Sequence, residues 1–200
     1  MKKLLLATTI LATALTSAHA DVKEYYSSGY WHNYWGRGDT GTLVCGMDVN
    51  GRDAKRVHIK WWGTRNYEIQ IFKADWRIPE GTKISVEIGF DRNSWGKVSN
   101  GLGTTTSGKG WKAGMVTVGF DSSVVDDFLE NVAHADKMWI KFADGSEPDW
   151  VIPMEGSRNS VNAFKDCVAK LAPTQTQPFD NSNSTQPFSK DRKKAGEESF

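Results

Sequence analysis

Beyond residue 20 this 200-residue chain carries three histidines, His32, His58 and His134. None stands in an H-x-H or H-E-x-x-H spacing, so no metal cradle or metalloprotease helix is written into the sequence. A G-x-S-x-G nucleophile elbow is absent too. Gly101-Leu102-Gly103 followed by Thr104 to Thr106 resembles a phosphate cradle, but it lacks the Lys-Ser/Thr pair and the following helix that would supply amide donors. A loop connecting two strands is the simpler reading. No metal and no cofactor are implied.

Carboxylates are the next candidates. Glu68 and Glu87 fall on the polar phase of alternating stretches, and Asp126, Asp127 and Glu130 cluster near a helix start. Two acids held roughly 5–9 Å apart across a cleft could hydrolyse a glycoside. Nothing in the sequence sets that separation, and acids early in a helix are ordinary partners of its macrodipole. We therefore expect no enzyme.

The aromatic residues stand out more, with 9 Trp, 9 Phe and 5 Tyr. Tyr30, Trp31, Tyr34, Trp35, Trp62 and Trp111 are candidates for a platform that takes sugar rings or an apolar partner, because flat rings supply contact area at little entropic cost. The competing role is packing over the edges of a β-domain. Trp61 and Trp62 are neighbours, so a strand sends them to opposite faces and at most one belongs wholly to the core.

Positioning these groups requires a scaffold, and its elements are legible. Val57, Ile59 and Trp61 alternate with His58 and Lys60, while Tyr67, Ile69 and Ile71 alternate with Glu68 and Gln70. Such period-two patterns predict half-buried strands, here joined by a turn over 63–66. After Pro79-Glu80-Gly81, Ile84, Val86, Ile88 and Phe90 predict another strand; Val116 to Phe120, Met138 to Phe142 and Trp150 to Met154 predict three more. The Gly, Ser and Thr of 96–110 predict a long loop. Ser122 or Ser123 is expected to cap a helix carrying Val125, Phe128, Leu129 and Val132 on one face. A last helix, Ser157 to Leu171, carries Val161, Phe164, Val168 and Leu171. The expected fold is mainly β with two helices (α+β), an antiparallel β-sandwich or partly open barrel.

Residues 1–20 read as an address. Lys2 and Lys3 precede an apolar stretch from Leu4 to Leu15, and Ala18-His19-Ala20 is a small-x-small cleavage pattern. The stretch is shorter than the ~20 residues needed to span a bilayer. Export with cleavage after Ala20 is expected, which leaves no transmembrane segment and places the product in the periplasm or, beyond it, at the cell surface or secreted. The whole chain has 25 Lys+Arg against 24 Asp+Glu, and loss of Lys2 and Lys3 leaves 23 against 24. So even a balance gives no electrostatic footprint for nucleic acid. In an oxidising compartment Cys45 and Cys167, an even pair 122 positions apart, are most simply one disulfide. Domain organisation follows: signal peptide 1–20, one β-rich domain over 21–172, and a polar tail over 173–200 too poor in apolar residues to order itself. Thr176-Gln177-Pro178-Phe179 recurs in the tail as Thr185-Gln186-Pro187-Phe188, either a docking motif or low-complexity drift.

Three stretches resemble the invasion-associated locus B-like family of exported proteobacterial proteins. They are the aromatic opening that leads from Trp35 to Cys45-Gly46-Met47, the turn Pro79-Glu80-Gly81 before a strand ending in Phe90-Asp91, and the closing helix from Gly156-Ser157 through Phe164 to Cys167. Together they span most of 31–171. The resemblance implies a small β-rich, envelope-associated domain without catalytic residues, linked with host-cell contact. The function expected is thus a non-enzymatic periplasmic or cell-envelope binding domain whose partner is an envelope protein or glycan. The alternatives are a glycan-binding domain or a cell-wall glycan hydrolase.

Overall fold

The computed structural model describes residues 21–172 except 39, 64, 65, 92–95, 109, 110 and 144. The expected signal peptide and tail lie outside the described residues. Ten strands and two helices follow one another: β1 (Asp21–Ser28), β2 (Trp31–Arg37), β3 (Leu43–Asn50), β4 (Lys55–Trp62), β5 (Asn66–Lys73), β6 (Thr82–Phe90), β7 (Gly96–Gly108), β8 (Trp111–Phe120), α1 (Ser122–His134), β9 (Lys137–Phe142), β10 (Trp150–Pro153) and α2 (Ser157–Leu171). The class is α+β and mainly antiparallel, as expected.

All ten strands belong to one sheet, in the order β1-β2-β3-β4-β5-β8-β7-β6-β9-β10. A single open sheet, rather than two facing ones, matches the partly open barrel and not the sandwich. Its two ends meet at one corner. The Tyr30 amide donates to the Glu155 carbonyl at 3.2 Å, and the Trp31 indole donates to the Pro153 carbonyl at 3.3 Å. Gly156 makes this approach possible: its φ is 86°, and a Cβ there would stand 1.9 Å from the Ser28 carbonyl oxygen.

Alternation places one residue in two inside the curl. Met47, Val57, Ile59, Trp61, Ile69, Ile71, Val116 and Val118 form one buried cluster with Val86, Ile88, Met138 and Ile140 from the other half of the sheet. The helices cover the concave side, contributing Val125, Phe128, Leu129 and Val132 from α1 and Val161 and Phe164 from α2 to the same cluster. Burial on this scale, at about 25 cal/mol per Å² of apolar surface, is the main force holding the sheet curled around the helices. Cys45 on β3 bonds Cys167 on α2, with α-carbons 6.0 Å apart, so an early strand is stapled to the last helix.

Two expectations are corrected. The stretch taken for a loop over 96–110 contains β7, thirteen residues paired with β6 on one side and β8 on the other. Its glycines serve packing: a Cβ on Gly101 would lie 2.6 Å from Val116, and one on Gly103 would lie 2.4 Å from Ile78. The cap of α1 is Asp121, whose carboxylate accepts from the Ser123 amide at 2.8 Å, and neither serine serves as the cap.

Candidate functional site

The β2 strand divides the candidate aromatics between opposite faces. Trp31, Asn33 and Trp35 point inward, in register with Val49, Met47 and Cys45 of β3. Trp31 is fully buried and belongs to the core. Trp35, at the other end of the strand, is 41% exposed because α2 stands off from it there. Tyr34 points outward and is buried. Tyr30 is exposed at the β1–β2 turn, beside a separate cleft bounded by the β3–β4 turn and β10. Trp62 lies on the outer face, with the Lys60 ammonium 5.5 Å from its ring centre. Trp111 opens β8, and its side chain falls outside the described residues. The five whose side chains are described do not make one platform.

What surrounds Trp35 is a groove of about 630 Å³ between β1–β2 and α2. Tyr25 and Tyr26 join Trp35 on the sheet wall; Asn159, Asn162, Asp166 and Lys170 edge the helix wall; Cys167 lies at its base. The two tyrosines reach the groove together because the β1–β2 register shifts between Glu24 and Tyr26. Such a bulge sets two residues against one partner. Nothing in the local sequence marks this bulge, and the tyrosines were therefore not singled out as site residues.

The helix wall is held at two points seven residues apart, which places both on one helical face. Ser160 Oγ donates to Asn33 Oδ1 at 2.7 Å, and Asn33 Nδ2 donates back to the Ser160 carbonyl at 2.9 Å. Both residues are buried, so the reciprocal pair satisfies groups that would otherwise be costly to desolvate. The second point is the disulfide at Cys167. Between them the Tyr25 phenol donates to the Ala163 carbonyl at 2.8 Å; burial raises its pKa above the ordinary value, and Asp166 adds to the shift. The groove therefore presents three partly exposed rings and two side-chain amides on a fixed frame. It holds no base–nucleophile pair, and its cysteine is consumed in the staple. Such a surface can bind flat or apolar groups and hydrogen-bond their edges.

The outer face of β2–β5 holds a cluster of titratable groups. The Tyr34 hydroxyl and His58 Nδ1 share a hydrogen bond of 2.7 Å, and His58 packs edge-on against Phe72. Burial, with Lys60 and Arg56 nearby, lowers the His58 pKa to about 2. Burial, reinforced by Asp48, raises that of Tyr34 well above the ordinary tyrosine value. Both groups are accordingly neutral and poorly placed to exchange protons near pH 7. Burial also raises the Asp48 pKa, against the pull of Arg56, whose Nε lies 3.4 Å from Asp48 Oδ2. Gly46 underlies this cluster: a Cβ there would sit 2.2 Å from the Tyr34 ring.

The other candidate acids stay apart. Glu68 on β5 accepts from Gln70 at 2.6 Å, while Glu87 on β6 faces Lys141 at 3.9 Å. β8 and β7 lie between those strands, which at about 4.8 Å per strand separates the two acids by about 14 Å, beyond the glycosidase range. Asp126, Asp127 and Glu130 are exposed on α1. A G-x-G-x-x-G spacing does occur, from Gly36 to Gly41, but it joins antiparallel β2 and β3 and opens no helix. Gly101 and Gly103 sit within β7, not at a helix start. Among the described residues no three His, Cys, Asp or Glu side chains are grouped to hold a metal ion, and no helix is long and apolar enough to cross a membrane. The chain matches no family model, no curated protein and no solved structure.

Proposed function

We propose that this chain is a non-enzymatic binding module of the bacterial cell envelope, exported by its first twenty residues and cleaved after Ala20. Its partner is an envelope protein, engaged through the groove between β1–β2 and α2. One observation carries this reading: Tyr25, Tyr26 and Trp35 remain 41%, 38% and 41% exposed on a wall that a disulfide and a buried Asn–Ser pair hold in place. Exposed rings on a rigid frame lose little entropy on binding, which is the property of a recognition hot spot. The Cys45–Cys167 bond suits an oxidising compartment, and the resemblance to the invasion-associated locus B-like family supports an envelope role linked with host-cell contact.

A glycan is the second reading, favoured by Asn159 and Asn162, whose amides edge the same groove and could hydrogen-bond sugar hydroxyls beside the rings. Mature protein carrying Tyr26→Ala and Trp35→Ala is expected to lose at least ~10-fold in affinity for its envelope partner while keeping its fold. Capture from envelope extracts, compared between native and variant protein, measures this, and equal capture refutes the groove as the contact. Tryptophan-fluorescence titration against a glycan panel separates the two readings.

A further inference from the structure

The repeated Thr-Gln-Pro-Phe of the tail has no part in the function proposed above, yet the chain leaves α2 at the rim of the groove. Lys170 and Leu171 line it, and the 28 residues from Pro173 to Phe200 follow directly. The geometry points to self-occupancy: one copy of Thr-Gln-Pro-Phe, Thr176–Phe179 or Thr185–Phe188, lies in the groove of its own chain and competes with the external partner. This rests on the groove being the binding surface.

Three features agree. The first is chemical. Proline-containing extended segments dock in grooves lined by Tyr and Trp, because the proline ring lies flat on an aromatic face and the extended form is already populated. Tyr25, Tyr26 and Trp35 provide such a lining, and the adjacent Phe adds an apolar anchor. Asn159 and Asn162 offer both donors and acceptors to the Thr and Gln that precede each proline.

The second is reach. From Asn159 to Leu171 the helix wall is about 18 Å long at 1.5 Å per residue. Beyond Ala172 the first copy begins after three intervening residues and the second after twelve. A flexible linker of twelve residues has a typical span of about 20 Å, so the first copy reaches the near end of the groove and the second the far end. In extended form the two phenylalanines, nine positions apart, are separated by about 28 Å at 3.1 Å per residue. That exceeds the groove, so only one copy occupies it at a time. The third is concentration. A short tether gives an effective concentration on the order of millimolar, enough for a weak contact that would be negligible between separate molecules.

The test uses the mature chain, residues 21–200, and a tail variant with Pro178→Ala, Phe179→Ala, Pro187→Ala and Phe188→Ala. The readout is the Trp35 indole N–H resonance, assigned by its disappearance in Trp35→Phe. It is expected to shift between the native chain and the tail variant and to be independent of protein concentration. A synthetic peptide spanning 174–180 should return it towards the native position in the tail variant and leave the native chain unchanged. The tail variant should also capture the envelope partner about tenfold more strongly, since a site occupied nine-tenths of the time shows a tenfold weaker apparent affinity. Coincident Trp35 resonances in the two chains, with no response to peptide, overturn the inference. Concentration dependence overturns it in favour of a tail from a second copy. Partner capture that needs Trp35 but ignores the tail variant leaves the proposed function standing and removes only the tail. A Trp35 resonance that follows the tail, with no partner captured by either chain, does the reverse.

Discussion

Tyr34 and Trp35 are adjacent in sequence and belong to opposite regimes. On the outer face, Tyr34 lies over Gly46, shares a hydrogen bond with His58 and is closed in by Asp48 and Arg56. On the inner face, Trp35 stands beside Tyr25 and Tyr26 at the edge of α2 with two-fifths of its surface open. Both clusters combine rings with polar groups. In the first the rings and polar groups close over one another, and Asp48 Oδ2, which accepts no hydrogen bond, lies 3.4 Å from Arg56 Nε. Aromatic content therefore does not mark a binding surface. Rings left open on a rigid frame are what the proposed binding surface rests on.

The comparison is broken most severely by cutting the staple. Replacing Cys45 and Cys167 together with alanine is expected to cost about 4 kcal/mol in urea denaturation, since the bond closes a loop of 122 residues. Partner capture should also fall, because α2 loses one of its two anchors. Retained capture with lowered stability would show that Ser160 and Asn33 suffice to hold the wall. Next in size is Gly46→Ala, which drives a methyl into the Tyr34 ring and is expected to cost about 3 kcal/mol. In a Tyr34→Ala background the same change should cost less than about 1 kcal/mol. Equal costs in both backgrounds would mean that the outer cluster does not close over Gly46.

A smaller effect separates the two regions by pH. His58 is lowered to about 2 in the fold, so the unfolded chain takes up a proton near 6.5 that the folded chain refuses. The stability contributed by the neutral ring is complete above pH 6.5 and is lost as pH falls, at about 1.4 kcal/mol per unit, or about 2 kcal/mol by pH 5. His58→Gln should flatten that slope. Asp48, whose pKa is raised by burial, acts in the opposite sense, between its ordinary value and the raised one. Glu147 acts in the same sense as His58, at and below the ordinary carboxyl value: burial pushes its carboxyl up, but hydrogen bonds from Trp150, Trp76 and Lys73 outweigh this and lower it. The smallest change expected in stability is Trp35→Ala, below about 1 kcal/mol for so exposed a ring. That small loss beside a large loss of binding would sharpen the contrast with Gly46→Ala, where stability fails and the groove remains.

Much of the scaffold was legible. Val57, Ile59 and Trp61 alternate in sequence and are buried in the fold, and Val125, Phe128, Leu129 and Val132 share the inner face of α1. β7 was hidden because its glycines at 96, 101, 103 and 108 read as loop and interrupt any apolar alternation, although Thr104 to Thr106 favour a strand. Its place is set by ladders on both sides and by Val116 and Ile78, which pack where its glycines have no Cβ. The groove was half legible: Trp35 was a candidate, while Tyr25 and Tyr26 depend on a register shift that no local pattern announces.

By itself the sequence determined which residues of each alternating strand share a face, where the apolar stripes of the helices lie, and that two cysteines were available as a pair. These follow from the pleat and the helical turn, whose periods are local properties of the backbone. Tertiary structure alone decided that Trp31 is sealed and Trp35 open, that two tyrosines converge with it, and that the candidate acids stay three strands apart. Exposure and convergence depend on what packs opposite a residue, and here that partner is a helix more than a hundred positions away along the chain.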